Sequence, residues 1–228
     1  MSTPRHTTTN GTTQLWTRAG PVTGPLPAGD VERLQETQAV TVAEPAPLGL
    51  FGFATGTFAL GYVLSGFTAA TAEAATAAIL LVFGGITQLL GGMWAFRKGN
   101  TFAATAFGCY GANYTVVAAF FLMSASGVFA RTSSANVVLS IELFCFGYIS
   151  LVLAGAALRL NRVFVGILAA LVPGYCLAAL GLIGVSAIIG NIGGYFLILS
   201  ALLAFYAAAA LVMNATYGRT VLPLLGRA

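Results

Sequence analysis

The sequence predicts an all-α membrane protein of six transmembrane helices, with both termini on the cytoplasmic side. Three observations carry that prediction: a composition too poor in charge for water, six apolar runs of spanning length, and basic residues gathered on one set of loops. Of the 228 residues, 58% are hydrophobic and only 7% charged, and the mean hydropathy is +0.89. Soluble domains carry about 25% charged residues, so most of this surface must face lipid. The 28 glycines agree, because glycine is frequent in membrane helices, where it lets backbones approach. The net charge of +4 does not point to nucleic acid. The basic residues flank apolar runs and do not cluster with aromatics on a solvated face.

The elements follow in order. Residues 1–44 are rich in Thr, Pro and Gly and hold too little apolar surface to offset the entropy of ordering, so a disordered cytoplasmic tail is expected. A short helix over Val31 to Val42 is the one exception read there. No apolar h-region with a small-residue cleavage site is found, so a secretory signal peptide is not expected. From Pro45 the chain becomes a series of apolar runs, each near the roughly 20 residues a spanning helix needs. They are read as 48–66, 72–96, 101–124, 135–158, 163–185 and 190–214, a transmembrane domain over 45–218, with 219–228 as a cytoplasmic C-terminal tail. The breaks are Arg97-Lys98-Gly99-Asn100, Arg131-Thr132-Ser133-Ser134, Arg159-Leu160-Asn161-Arg162, and an uncharged break around Ser186 to Gly194. No ten-residue alternating segments argue for a β-barrel.

Six spans place Arg5, Arg18, Arg33, Arg97, Lys98, Arg159, Arg162, Arg219 and Arg227 on one side and only Arg131 on the other. That bias makes the first side cytoplasmic, and a multi-pass protein of the plasma membrane is the expected setting. Cys109, Cys145 and Cys176 all lie inside apolar runs without metal spacing, and read as reduced thiols.

The chain lacks the groups an enzyme needs. Its one histidine, His6, is in the tail, and no nucleophile–base set or metal cluster falls within the spans, so neither catalysis, a metal nor a cofactor is expected. Glu142 is the one carboxylate deep in an apolar run, where a charge costs roughly 2.5–3.5 kcal/mol. It reads either as a proton-binding site facing a cavity or as a protonated carboxyl bonded to a neighbouring helix. Glu73, at the outer end of the second span, reads as a solvated helix start. Gln88, a mid-span amide with Gly84, Gly91 and Gly92 around it, either joins helices or offers its NH2 to a passing anion. Tyr110, Asn113, Tyr114 and Val117 share one helical face by their spacing, and either line a path or satisfy one another. Gly52 and Gly56, and Gly190 and Gly194, make small-residue spacings common in apolar sequence. Pro45 to Gly49 opens the first span. Pro47, Leu48 and Gly49, with the free amides of Leu48 and Gly49 behind the proline, form either an anion site at a positive helix end or a plain interfacial start.

Three ordered blocks add a resemblance. The first is Glu44-Pro45-Ala46-Pro47-Leu48-Gly49-Leu50-Phe51-Gly52-Phe53. The second runs from Phe83 to Gly92, on through Lys98 to Phe107 and to Tyr110-Gly111. The third runs from Tyr217 to Pro223. Together they cover nearly all of 44–225 and resemble the acetate uptake (succinate–acetate permease) family, whose first signature reads N-P-A-P-L-G-L-x-G-F. The resemblance implies a six-helix protomer in a homohexamer, each with its own path for acetate and related carboxylates, proton-coupled or channel-like. It implies a narrow gate of Phe53, Tyr110 and Leu171, the tyrosine hydroxyl giving one donor; such a ring excludes water and free ions. The sequence departs from the family at Glu44, where Asn is usual, near Leu182, where the family often has Asn, and at Glu142, where an apolar residue is expected. Passage of ammonia or a small neutral solute, and a non-transporting membrane sensor using the tail for partners, stand as the alternatives.

Overall fold

The computed structural model describes residues 42–226 of the chain. Six helices in it are long and apolar enough to cross a membrane. They are α1 (Ala46–Leu64), α2 (Glu73–Arg97), α3 (Thr101–Ala125), α4 (Ser133–Ala157), α5 (Arg162–Leu182) and α6 (Ala187–Tyr217). The first four predicted spans end within about two residues of the observed ones, the scatter usual at helix ends, and the last two are offset by up to about three. The tail expected to be disordered and the short helix expected at Val31 to Val42 fall outside the described residues except at their last positions, and residues 42–45 lead into α1 without helical structure.

The three charged breaks work because each supplies a cap. Asn100, Thr132 and Asn161 accept hydrogen bonds from the amides of Ala103 (3.0 Å), Ala135 (3.2 Å) and Phe164 (3.0 Å), starting α3, α4 and α5. At the other ends Gly66, Gly99, Gly127, Gly184 and Gly218 adopt positive φ, which a side chain would strain. Gly184 also corrects the predicted last break. The turn lies between Leu182 and Ala187, and Gly190 and Gly194 sit inside α6. Those glycines serve close packing there. A Cβ on Gly190 would stand 3.0 Å from the Gly181 Cα of α5, while Gly194 faces the Ser65 backbone after α1. Gly56 does the same for α1 and α2, where a Cβ would approach the Gly84 Cα at 2.7 Å.

Helix α2 is not uniform. Its middle, Leu80–Thr87, is π-helical, a form frequent at functional sites. Fully buried Gln88 follows it directly.

The helices make a ring. α3 packs on α2, α2 on α1, α1 on α6, α6 on α5 and α5 on α4, with a slighter α3–α4 contact closing it. The inward faces are tight: Ala54, Leu60, Ala118, Phe121, Leu143 and Leu197 are all nearly inaccessible. Outward faces carry large apolar side chains such as Met93, Phe96, Tyr148 and Ile188, as a lipid-facing or subunit-facing surface must. Two ends can be told apart. Lys98 Nζ meets Glu44 Oε2 at 3.1 Å at one, and Arg131 pairs with Glu73 at the other.

Candidate functional site

Two cavities lie on the same inward faces of α1 and α5, at opposite ends. The one at the Lys98 end holds about 250 Å³ and is lined by Glu44, Leu50 and Phe53, by Phe107 and Tyr110, and by Phe164 and Leu168. The one at the Arg131 end holds about 230 Å³ and is lined by Val63, Leu64, Thr68, Glu73, Arg131, Ala178, Leu182 and Asn191. Along α1 the order is Leu50, Phe53, Thr57, Leu60, Val63. Along α5 it is Leu168, Leu171, Tyr175, Ala178, Leu182. Steps of three and four residues keep one face inward. From Phe53 to Val63 the rise is roughly 15 Å at 1.5 Å per residue, so the cavities are separated by a short plug.

Aromatic rings make the first layer of that plug. Phe53 and Tyr110 lie 5.3 Å apart between centroids, tilted at 53°. Tyr114 is 6.4 Å from Phe53, and Tyr175 stacks on Tyr110 at 6.5 Å. Phe146 of α4 closes the group, 6.0 Å from Tyr110 and 6.1 Å from Tyr175. Leu171, fully buried, lies one turn before Tyr175 on α5. All three residues expected as a gate are therefore buried at this level.

Polar groups make the second layer, and each proton can be traced. The Thr57 hydroxyl donates to the Phe53 carbonyl at 2.6 Å, so the 2.5 Å contact between Thr57 Oγ1 and the Tyr114 hydroxyl has Tyr114 as donor. The Tyr175 hydroxyl is 3.5 Å from that of Tyr114. Asn113 is oriented so that its oxygen accepts from Tyr175 at 2.9 Å while its nitrogen donates to Glu142, 3.2 Å to Oε2. That orientation satisfies both ends of the amide and is fixed by the network. Likewise Ser150 donates to the Phe146 carbonyl at 2.6 Å, leaving Tyr110 to donate to Ser150 at 2.8 Å. The Tyr110 proton, which the resemblance makes a donor at the gate, is thus committed to α4.

Tyr110, Asn113, Tyr114 and Val117 do share the buried face of α3. Gln88 is fully buried, and neither its Nε2 nor its Oε1 meets a protein partner; a buried amide in that state is rare enough to need a reason. Pro47, Leu48 and Gly49 do not line the Lys98-end cavity. The Ala46 amide faces the Glu44 carboxylate at 3.4 Å, the Gly49 amide donates to the Pro45 carbonyl at 3.2 Å, and Gly49 makes room for the Phe107 ring. Glu44 is itself offset by Lys98. Glu73 departs from the sequence reading: its side chain is only 14% exposed, not a solvated helix start, because Arg131 is folded over it.

Sequence reasoning missed Thr57, Phe146, Ser150 and Tyr175. Two of these carried a signal. Thr57 falls four residues after Phe53 and Tyr175 four after Leu171, each one helical turn beyond an expected gate residue.

Comparison with known proteins fits this arrangement. A family model described as the GPR1/FUN34/yaaH family matches residues 28–225. The succinate-acetate/proton symporter SatP of Escherichia coli (strain K12) is 33% identical over 184 residues, covering 80% of this chain and 95% of that protein. Acetate permease A of Emericella nidulans is 43% identical over 77 residues, 34% of this chain and 26% of that longer protein. The solved structure of the bacterial acetate channel SatP matches with a TM-score of 0.75 at 32% identity, over 81% of this chain and 99% of that one.

Proposed function

The chain belongs to the GPR1/FUN34/yaaH family, and on that premise we propose that it moves acetate and other short carboxylates across the plasma membrane. The observation that carries the reading is the plug: two cavities on one line, parted by Phe53 and Tyr110 and then by a hydroxyl and amide layer. An apolar constriction backed by hydrogen-bonding groups passes a small solute with one polar end and one methyl end, and resists water chains and bare ions.

In this reading Phe53, Tyr110 and Leu171 form the gate. Beyond it, Tyr114 and Asn113 receive the carboxylate by turning their donors from Thr57 and Glu142. Gln88, the buried amide with no protein partner, supplies the donor that Tyr110 has given to Ser150. Pro47, Leu48 and Gly49 act indirectly, fixing the start of α1 against α2 and α3. Glu142 is the proton site, reached from the path through Asn113 and Tyr175. The Lys98 end faces the cytoplasm, as the placement of basic residues favours. The protomers associate as a homohexamer through the apolar outward faces, and the chain catalyses no chemical conversion.

The test is uptake of labelled acetate into proteoliposomes of the purified protein, with and without an inward proton gradient at fixed external pH. Saturable uptake above empty liposomes, competed by formate or propionate, is expected. It should be accelerated by the gradient in the unaltered protein and indifferent to it in Glu142→Gln. Uptake of ammonia with none of acetate would overturn the reading.

A further inference from the structure

The cavity at the Arg131 end is walled by one cation and one carboxylate, Arg131 and Glu73. Among the described residues Arg131 is the only basic side chain at that end, whereas Arg97, Lys98, Arg159, Arg162 and Arg219 lie at the other. It is held in place from three sides. Its guanidinium lies over the rings of Phe120 and Phe121, 5.7 and 5.8 Å from their centroids. Its Nε donates to Asn136 at 3.1 Å, and one terminal nitrogen donates to Glu73. Its other terminal nitrogen has no protein acceptor among the described residues. A guanidinium is a planar fork suited to two-point binding of a carboxylate, and half of this fork is unused beside a cavity of about 230 Å³.

We infer that this cavity is the outer receiving site for a carboxylate anion, with Arg131 as its cation and Glu73 as the resident counter-ion that an arriving substrate displaces. The inference rests on the carboxylate-transport reading and on the orientation that puts this end outside. The location suits the role, because Val63 and Ala178 on its wall continue the lines of α1 and α5 that lead to Thr57 and Tyr175. The chemistry suits it too. Arg131 and Glu73 are the two ionisable groups lining the cavity, and Thr68 and Asn191 add neutral polar groups. Glu73 both keeps the arginine neutralised when the site is empty and competes with the incoming anion. Its removal and the removal of Arg131 therefore have opposite effects on capture.

That opposition is what separates a receiving site from a structural brace. Labelled acetate uptake would be measured in intact cells at a fixed external pH of neutrality, over a range of concentrations, and normalised to protein in the membrane. Arg131→Gln is expected to raise KM about tenfold with little change in maximal rate, the scale of one lost charge-assisted hydrogen bond. Glu73→Gln is expected to lower KM by a few fold. Arg131→Lys, which keeps the charge but not the fork, should fall between the unaltered protein and the glutamine variant. If Arg131→Gln fails to reach the membrane, Glu73→Gln decides alone, because damage to the fold does not lower KM. Both glutamine variants raising KM, or neither moving it, overturns the site and leaves transport standing. No saturable uptake by the unaltered protein overturns the transport reading and the site together.

Discussion

Phe53→Ala is the sharpest perturbation of the proposed gate. The ring is 2% exposed and touches Tyr110 at 5.3 Å and Tyr114 at 6.4 Å between centroids. Its loss removes two aromatic pairs, each worth about 0.5–1.5 kcal/mol, and leaves a void continuous with the cavity at the Lys98 end. The stability cost should be about 3 kcal/mol, the low end for Phe→Ala in cores, because one side of the ring already borders that cavity. The functional effect is larger in kind. A tight apolar site discriminates one methylene by roughly 10–200-fold, so the ratio of butyrate to acetate uptake should rise at least about tenfold. The assay is paired labelled uptake of the two acids into proteoliposomes, with thermal stability followed in parallel. Phe53→Leu, which keeps most of the volume, should show a smaller rise. Uptake that stays acetate-selective in a folded Phe53→Ala protein would refute the gate assignment.

Three further outcomes are expected. Tyr110→Phe keeps the ring and loses only the 2.8 Å bond to Ser150, so it should cost about 1 kcal/mol by thermal melting and leave acid selectivity unchanged in paired uptake. Gln88→Leu removes a buried amide that no protein group satisfies; it should raise the melting temperature, or leave it unchanged, while lowering acetate uptake, and a loss of stability would mean the amide is structural. Gly56→Val places a side chain against the Gly84 backbone, where neither partner can yield, so the detergent-purified protein should lose its monodisperse elution peak.

The spans were legible because they are set by one-dimensional facts. Asn100, Thr132 and Asn161 stand where capping residues stand, and the apolar lengths between them match a bilayer. The α5–α6 turn was misplaced because glycine has two uses that sequence alone does not separate, turning at Gly184 and close packing at Gly190 and Gly194. On α3 the site was readable from helical spacing, since Tyr110, Asn113 and Tyr114 lie on one element. Its partners were not. Thr57, Ser150 and Tyr175 come from three other helices, and their meeting depends on how those helices rotate in the ring. Glu73 was misread for the same reason: its partner Arg131 is 58 positions away, and no local pattern announces the pair.

The π-helical stretch of α2 bears on which changes of chain length this fold can absorb. An α-helix turns by about 100° per residue, so one residue lost from most points in a span swings everything beyond it to a different face. Over Leu80–Thr87 the looser winding accommodates about one residue more than α-helix would over the same turns. Deleting Val82 would let that stretch tighten to ordinary α-helix while Gln88, Gly91 and Gly92 kept their faces toward α1. Deleting Leu90, only a few positions on, has no such slack and would turn Gly91 and Gly92 away from their neighbours. Homologous chains that differ by a single residue in this span should accordingly carry the difference before Gln88, not after it.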